Sequence, residues 1–150
     1  AAHRAGRQVA LTLSDSFCVE RFLDPFRELV AATVDVLLGN ADELCLLYET
    51  DDVDSALAAA GQHCDLVAVT RGAAGASIAA DGRRVDVAAE RATVVDTTGA
   101  GDLFAAGFLA ARARGRPIRQ CLEAGAAAAA EVISHYGARP EADLKELVRL

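Results

Sequence analysis

The sequence predicts an α/β protein, a three-layer α/β/α sandwich with a mostly parallel sheet and an antiparallel hairpin at its edge. Three short apolar segments have the composition of buried parallel strands: residues 9–13, 34–38 and 66–70. They alternate with segments whose apolar residues recur at helical spacing, which is the order that produces a parallel sheet covered by helices. Residues 76–80 and 83–87 are separated only by Asp81 and Gly82, which predicts a hairpin with a two-residue turn.

The segments on either side of the first strand predict two helix boundaries. Residues 1–6 are expected to end a helix at Gly6. The polar residues 14–16 follow the strand, where they either cap the next helix or lie at the carboxyl edge of the sheet, the usual position of ligands in such folds. Asp24 and Pro25 predict the cap and the first position of the helix before the second strand.

A capping box follows the second strand. Asn40 and Glu43 are three residues apart just before an apolar run, so each side chain can bond the backbone amide of the other. The next helix is predicted over residues 51–61. The buried face of the helix after the capping box is predicted to consist of three leucines: Leu44, Leu46 and Leu47.

A glycine turn ends the third strand at residues 70–75. Glycine occupies positions 72 and 75, and Thr70 and Arg71 precede them. A Gly-x-x-Gly turn between two strands is common in hairpins, so this spacing alone indicates a turn and not a ligand site. Arg71 is expected to be solvated.

A second glycine turn, residues 96–102, has the features of an anion-binding site. It is predicted to lie where a strand ends at the β-favouring residues 94–95 and a helix begins, with the apolar residues of that helix starting at Leu103. Amides at the start of a helix lack partners and lie at the positive end of the helix dipole, which suits a phosphate or a developing oxyanion. Gly99 and Gly101 allow a ligand to approach the backbone closely.

Asp102 is unexpected in such a turn, because a carboxylate weakens anion binding. Its better use is to accept a proton from an attacking hydroxyl, so the turn predicts phosphoryl transfer. The alternative is that Asp102 and Thr98 only cap the helix. Capping explains the acid and the hydroxyl but does not require the glycines around Ala100.

Small residues dominate the C-terminal part of the chain. Gly115 is predicted to end the helix after the turn, and Pro117 to begin the next one. Residues 124–130 are alanine and glycine alone, which favours a helix that packs closely against a neighbour. After a loop at residues 137–140, a closing amphipathic helix is indicated by Leu144, Leu147, Val148 and Leu150.

Composition limits the classes of function. The chain has 150 residues, 53% of them hydrophobic, enough for one sizeable core, and no apolar run approaches the ~20 residues of a membrane span. A net charge of -7 without a basic cluster argues against nucleic-acid and membrane partners. The four cysteines and three histidines are scattered, so we expect buried thiols in a reducing, cytoplasmic protein and assign the histidines no role.

The fourteen residues 96–109 resemble the second signature of the ribokinase-like (pfkB) family of carbohydrate and nucleoside kinases. The resemblance implies that Asp102 is the catalytic base and that the amides of Gly99, Ala100 and Gly101 form the anion hole for the transferred phosphoryl group. Residues 13–17, Leu-Ser-Asp-Ser-Phe, are similar to the adenosine-kinase-like branch of the family.

The same resemblance implies further site residues and cofactors. Asn40 and Glu43 match an Asn-x-x-Glu element that organises Mg²⁺ and phosphate, acting through water. Thr70, Gly72 and Gly75 match a nucleotide-binding loop for ATP, and Gly137 lies in the loop that lines the purine pocket. Asp96 and Thr98 would hold a monovalent cation, with K⁺ as the candidate ion.

The predicted function is transfer of the γ-phosphate of ATP to an alcohol group of a sugar or nucleoside. Because the chain lacks methionine and family members are about twice as long, we expect residues 1–150 to be the C-terminal, nucleotide-binding half of such a kinase. The N-terminal half would hold the acceptor and, in a homodimer, the subunit interface. The alternative is a non-catalytic nucleotide-binding fragment or assembly module.

Overall fold

A computed structural model describes residues 1–148 of the chain. It has the predicted α/β class, with parallel and antiparallel strands in a single sheet. The chain forms two compact units. The first unit comprises Ala1–Arg71 and Ser77–Arg84, and the second comprises Gly72–Ala76 and the described residues from Val85 onward. Leu150, predicted on the closing helix, lies outside the described residues.

The first unit contains three parallel strands and the helices that connect them. A short 3₁₀ turn at His3–Ala5 ends at Gly6, whose φ of 66° is left-handed, as predicted for this glycine. The elements that follow are β1 (Ala10–Thr12), α1 (Ser16–Arg21), α2 (Leu23–Ala32), β2 (Val36–Asn40), α3 (Ala41–Tyr48), α4 (Val53–Ala60) and β3 (Leu66–Thr70).

The parallel register aligns the carboxyl ends of these strands. The strands of the sheet run in the order β1-β2-β3-β4-β5, where β4 is Ala76–Ala80 and β5 is Arg83–Val87. Thr12 pairs with Leu38, and Asn40 pairs with Thr70. The residues that follow β1, β2 and β3 therefore lie along one edge of the sheet, the edge at which residues 14–16 were expected.

The hairpin forms as predicted. Asp81 and Gly82 connect β4 to β5 with φ angles of 50° and 68°. A type I′ turn requires positive φ at both central positions, which explains why an Asp-Gly pair occupies them.

The core of the first unit lies between its strands and helices. Four of the five β3 residues are buried, as expected for a parallel strand covered on both faces. Leu44 and Leu47 of α3 are fully buried, as predicted, whereas Leu46 is 38% exposed. The prediction for Leu46 was wrong because a helix advances 100° per residue, which turns this position away from the other two.

Two boundary predictions were also wrong. Helix α2 begins at Leu23 and not at Pro25, its N-cap is Phe22, and Asp24 lies in its first turn without capping it. Residues 94–95 form no strand. Val94 is 62% exposed, and the Val95 amide donates to the Ile133 carbonyl, which also accepts the Asp96 amide. Two β-branched residues are too few to build a ladder without a neighbouring strand.

The second unit is built on a close pair of helices, α5 (Ala100–Ala113) and α6 (Ile118–Val132). A Cβ atom at Gly107 would come within 2.6 Å of the Ala124 carbonyl oxygen, and one at Gly125 within 2.8 Å of the Phe104 carbonyl oxygen. The small-residue face of α6 therefore packs against α5, as the alanine-rich run predicted. Helix α7 is a single turn, Leu144–Leu147. Within residues 1–148, no helix is long and apolar enough to cross a membrane.

Candidate functional site

The second glycine turn forms the start of α5. Gly99 is the N-cap residue and has a φ of 82°, which disfavours other residues. A Cβ atom there would lie 2.8 Å from the Ala138 Cβ, so the loop after α6 packs directly on Gly99. Gly101 differs, because a Cβ atom at this position would meet nothing within 4 Å. The conformation and packing of the protein explain Gly99 but not Gly101.

The amides of this turn are unequally available. The Ala100 amide donates to the Thr97 carbonyl at 3.2 Å, and the Leu103 amide donates to the Gly99 carbonyl at 2.9 Å. Within residues 1–148, the amides of Gly99, Gly101 and Asp102 have no acceptor. Of the three predicted anion-hole donors, Ala100 is thus already engaged, and the Asp102 amide is a further free donor.

Asp102 is exposed in the first turn of α5. Its carboxylate has no hydrogen-bond partner in the part of the chain that the structure describes. Capping does not explain it, because the N-cap position is a glycine and no side chain caps this helix. The Thr98 hydroxyl instead donates to Asp96 Oδ1 at 2.7 Å. Neither side chain therefore caps α5, although Asp102 does occupy the first-turn position that the helix dipole favours for an acid.

Asp96 ties the turn to the loop at residues 137–140. Its Oδ1 accepts the amide of Thr98 at 2.9 Å in addition to the hydroxyl, and its Oδ2 accepts the Gly137 amide at 3.0 Å. These hydrogen bonds, that of the Thr98 side chain first, lower the pKa of Asp96 to about 2. The carboxylate therefore remains charged at any physiological pH.

We expect an Asp96→Asn variant to lose stability at neutral pH, because an amide accepts these hydrogen bonds more weakly than a carboxylate. A pKa depressed in the folded state means that the stabilisation exists above the unfolded pKa, about 3.9, and is lost as the pH falls through about 2. Urea unfolding of wild type and variant at pH 7 and at lower pH measures this. If the difference in unfolding free energy between wild type and Asp96→Asn did not shrink between pH 4 and pH 2, the stabilising role of the Asp96 carboxylate would be refuted.

Asn40 and Glu43 form the predicted capping box at the start of α3. The Asn40 amide donates to Glu43 Oε2 at 2.9 Å, and the Glu43 amide donates to Asn40 Oδ1 at 2.9 Å. The Asn40 side chain also donates to Glu43 Oε1 at 2.7 Å. Burial raises the pKa of Glu43, the Asn40 amide opposes this shift, and the carboxylates of Asp15 and Asp42 add to it.

This oxygen-rich pair has the donor chemistry that Mg²⁺ prefers. Both Glu43 oxygens already accept a hydrogen bond from Asn40, so the pair is suited to contact a hydrated ion through water. Among the described residues, no group of three or more His, Cys, Asp or Glu side chains is arranged to hold a metal ion.

The loop after β3 contains one glycine that the packing of the protein requires. A Cβ atom at Gly75 would lie 2.0 Å from the Val87 carbonyl oxygen, so the backbone of residues 87–89 requires glycine there. Gly72 has a φ of 54° and open space around it. Arg71, expected to be solvated, is only 29% exposed in its side chain, and its guanidinium donates to the Ser77 hydroxyl at 3.3 Å.

Each unit brings part of the predicted set together. In the first unit, Asn40 and Thr70 are paired on adjacent strands, and Glu43 contacts Asn40. In the second, Asp96 contacts both Thr98 and Gly137.

No role was assigned from the sequence to Glu131 and His135, which lie beside the loop of the second unit. Glu131 Oε1 accepts the amides of Glu141 and Ala142, directly after the 137–140 loop. A Glu and a His four residues apart at the end of a helix is the signal that would have found the pair.

A mostly parallel sheet covered by helices and a glycine turn at the start of a helix are features shared by many α/β proteins. A model described as the pfkB family of carbohydrate kinases matches residues 1–144. The chain belongs to that family.

The relatives are kinases of sugars and nucleosides. A cytidine kinase of Thermococcus kodakarensis is 33% identical over 138 residues, which is 88% of this chain and 49% of the relative. An adenosine kinase from Sinorhizobium meliloti has a crystal structure that matches this chain with a TM-score of 0.94 and 45% sequence identity. The match covers 99% of this chain and 46% of the adenosine kinase. An Arabidopsis thaliana ribokinase complexed with ribose and ATP is 28% identical and has a TM-score of 0.78. That match covers 97% of this chain and 48% of the ribokinase. The chain thus spans about half the length of these relatives.

Proposed function

We propose that the protein containing this chain is an ATP-dependent phosphotransferase with an alcohol acceptor. Asp102 removes the proton from the acceptor hydroxyl, and the oxygen forms a bond to the γ-phosphorus as the bond to the β,γ-bridging oxygen breaks. ADP leaves, and the acceptor becomes a phosphate ester. The observation that carries this proposal is an exposed Asp102 carboxylate in a helix turn where, among the described residues, neither it nor the amides of Gly99, Gly101 and Asp102 have a hydrogen-bond partner.

The turn around Asp102 supplies the electrostatic part of the proposal. The amides of Gly99, Gly101 and Asp102 would donate to the oxygens of the transferred phosphoryl group, where negative charge accumulates. Since Ala100 donates within the turn at 3.2 Å, its amide contributes only if the turn rearranges. The open space above Gly101 favours this role, because a phosphate can approach the backbone there.

The other site residues are assigned to the nucleotide and its ions. Thr70 and Gly72 would contact ATP, while the tightly packed Gly75 would support that loop. Asn40 and Glu43 would hold Mg²⁺ through water, and the ion supplies positive charge against the phosphate oxygens when bound. The oxygen donors of Asp96 and Thr98 fit a monovalent cation such as K⁺, and Gly137 belongs to the proposed purine-binding loop.

We infer the chemical class of the acceptor from the substrates named for the relatives. We favour a nucleoside because the cytidine kinase and the adenosine kinase cover most of this chain at 33% and 45% identity. A sugar acceptor is the second candidate, supported by the ribokinase complexed with ribose. We further propose that residues 1–150 are the nucleotide-binding half of the kinase and that the acceptor and any homodimer contacts belong mainly to the other half.

The test is ADP release by the full-length gene product with Mg²⁺ and ATP, in the presence of adenosine, cytidine, ribose or fructose. Acceptor-dependent ADP release with one of these compounds is the expected result. Calorimetry with ATP and Mg²⁺ identifies the alternative. ATP binding without turnover on any acceptor would indicate a non-catalytic nucleotide-binding module instead.

A further inference from the structure

The loop at residues 137–140 is held at both ends by carboxylates. At its start, Asp96 Oδ2 accepts the Gly137 amide at 3.0 Å. Just after its end, Glu131 Oε1 accepts the amides of Glu141 and Ala142 at 2.7 and 2.8 Å. Between these two anchors, Ala138 packs on Gly99. The loop therefore connects the segment that Glu131 holds to the glycine turn that Ala138 contacts.

Glu131 is an unusual anchor because it is a buried acid near the end of α6. Its side chain is only 10% exposed, and its Oε2 is buried without a hydrogen-bond partner among the described residues. Burial raises the pKa of Glu131, but the amides of Ala142 and Glu141 together with His135 outweigh burial, so the pKa of Glu131 is lowered overall. A buried charge held by two backbone amides of one segment fixes that segment strongly.

His135 is the second member of the pair. Its Nε2 lies 3.4 Å from Glu131 Oε1, and its Nδ1 lies 3.9 Å from Glu141 Oε1. The His135 side chain is 13% exposed, and Nε2 is buried without a hydrogen-bond partner within residues 1–148. Unsatisfied buried polar atoms on both side chains cost stability, so an arrangement that served folding alone would be better built from apolar residues.

We propose that Glu131 and His135 are positioning residues that fix the 137–140 loop against Gly99 and thereby hold the amides of the α5 turn in place for the phosphates of ATP. The inference rests on the proposed function for its effect on ATP. The positioning itself can be observed without any turnover.

The expected result is a local loosening in the Glu131→Gln variant. Hydrogen exchange measured by mass spectrometry on the ligand-free, full-length gene product should accelerate in segments 96–101 and 136–142. The KM for ATP should rise about tenfold, because charge-assisted bonds to two amides are weakened, and kcat should also fall, because the same turn amides stabilise the transferred phosphoryl group. His135→Gln should show the same pattern with a smaller amplitude. Glu123→Gln removes an exposed carboxylate from the same helix and serves as the matched control, with no change expected in exchange or KM.

The outcomes separate the two claims. Unchanged exchange in both segments of Glu131→Gln would overturn the positioning role, as would faster exchange spread evenly over the protein. Faster local exchange with an unchanged KM for ATP would also overturn the link to nucleotide binding. If Glu131→Gln does not fold, His135→Gln decides by the same criteria. A wild-type protein without kinase activity would refute the proposed function, and the exchange comparison would still decide whether the pair fixes the loop.

Discussion

An Asp102→Asn variant of the full-length gene product is expected to lose ~10²–10⁴-fold in kcat, the contribution typical of a general base. The carboxylate is exposed and makes no hydrogen bond within residues 1–148, so its replacement should leave the fold intact. The affinity for ATP should stay the same or increase, because the change removes a negative charge beside the proposed phosphate site. Steady-state kinetics with the identified acceptor, together with calorimetry for ATP, measures both quantities.

Asp24→Asn provides the matched control for this prediction. Asp24 is also an exposed acid in the first turn of a helix, and the structure assigns it no cap. Its replacement should leave kcat within twofold of the wild-type value. If Asp102→Asn retained wild-type turnover, Asp102 would not be the base, whatever the family of the protein.

The second large effect is expected from Gly101→Ala. The added methyl group meets nothing within 4 Å in the protein, and alanine is the better helix former by ~1 kcal/mol. Stability should therefore be unchanged or slightly higher. Activity should nevertheless fall ~10²-fold in kcat/KM, because the methyl group occupies the space through which a phosphate would reach the amides, and loss of one such donor costs ~10²–10³-fold.

Gly99→Ala is expected to affect stability as well as activity. Its left-handed φ of 82° costs roughly 1–3 kcal/mol for a non-glycine residue, and its methyl group would lie 2.8 Å from the Ala138 Cβ. Gly115→Ala separates the cost of the left-handed backbone from the cost of the close contact. Gly115 also has a left-handed φ, 70°, but it has open space around it. The melting temperature of Gly99→Ala should be lower than that of Gly115→Ala. The melting temperature of Gly101→Ala should equal or exceed the wild-type value. A destabilised Gly101→Ala would show that Gly101 serves the fold and not a ligand.

The sequence predicted best those features that short-range chemistry determines. Asp81 and Gly82 predicted the hairpin because few residue pairs accept positive φ at two successive positions. Asn40 and Glu43 predicted the capping box because the three-residue spacing places each side chain at the other's amide. The turn before α5 was predicted at its correct position for the same reason, since its glycines and its acid act within a single helix turn.

The sequence could not predict features that depend on distant residues. The glycine requirement at position 75 comes from the backbone of residues 87–89, and that at position 99 comes in part from Ala138. Asp96 was predicted as a cation ligand, but its tie to the Gly137 amide spans 41 positions in the chain. Glu131 and His135 were overlooked because neither belongs to a glycine turn or a strand end, and their role depends on a loop that follows them.

The most direct test of the central claim is a single-turnover measurement of phosphoryl transfer. ATP labelled at the γ-phosphate is bound to excess full-length protein with Mg²⁺, mixed with the acceptor and quenched on the millisecond scale, which isolates the chemical step. We expect labelled phosphate ester to form on the acceptor ~10²–10⁴ times more slowly in Asp102→Asn than in wild type, with ATP bound at least as tightly. Equal single-turnover rates in the two proteins would contradict the role assigned to Asp102.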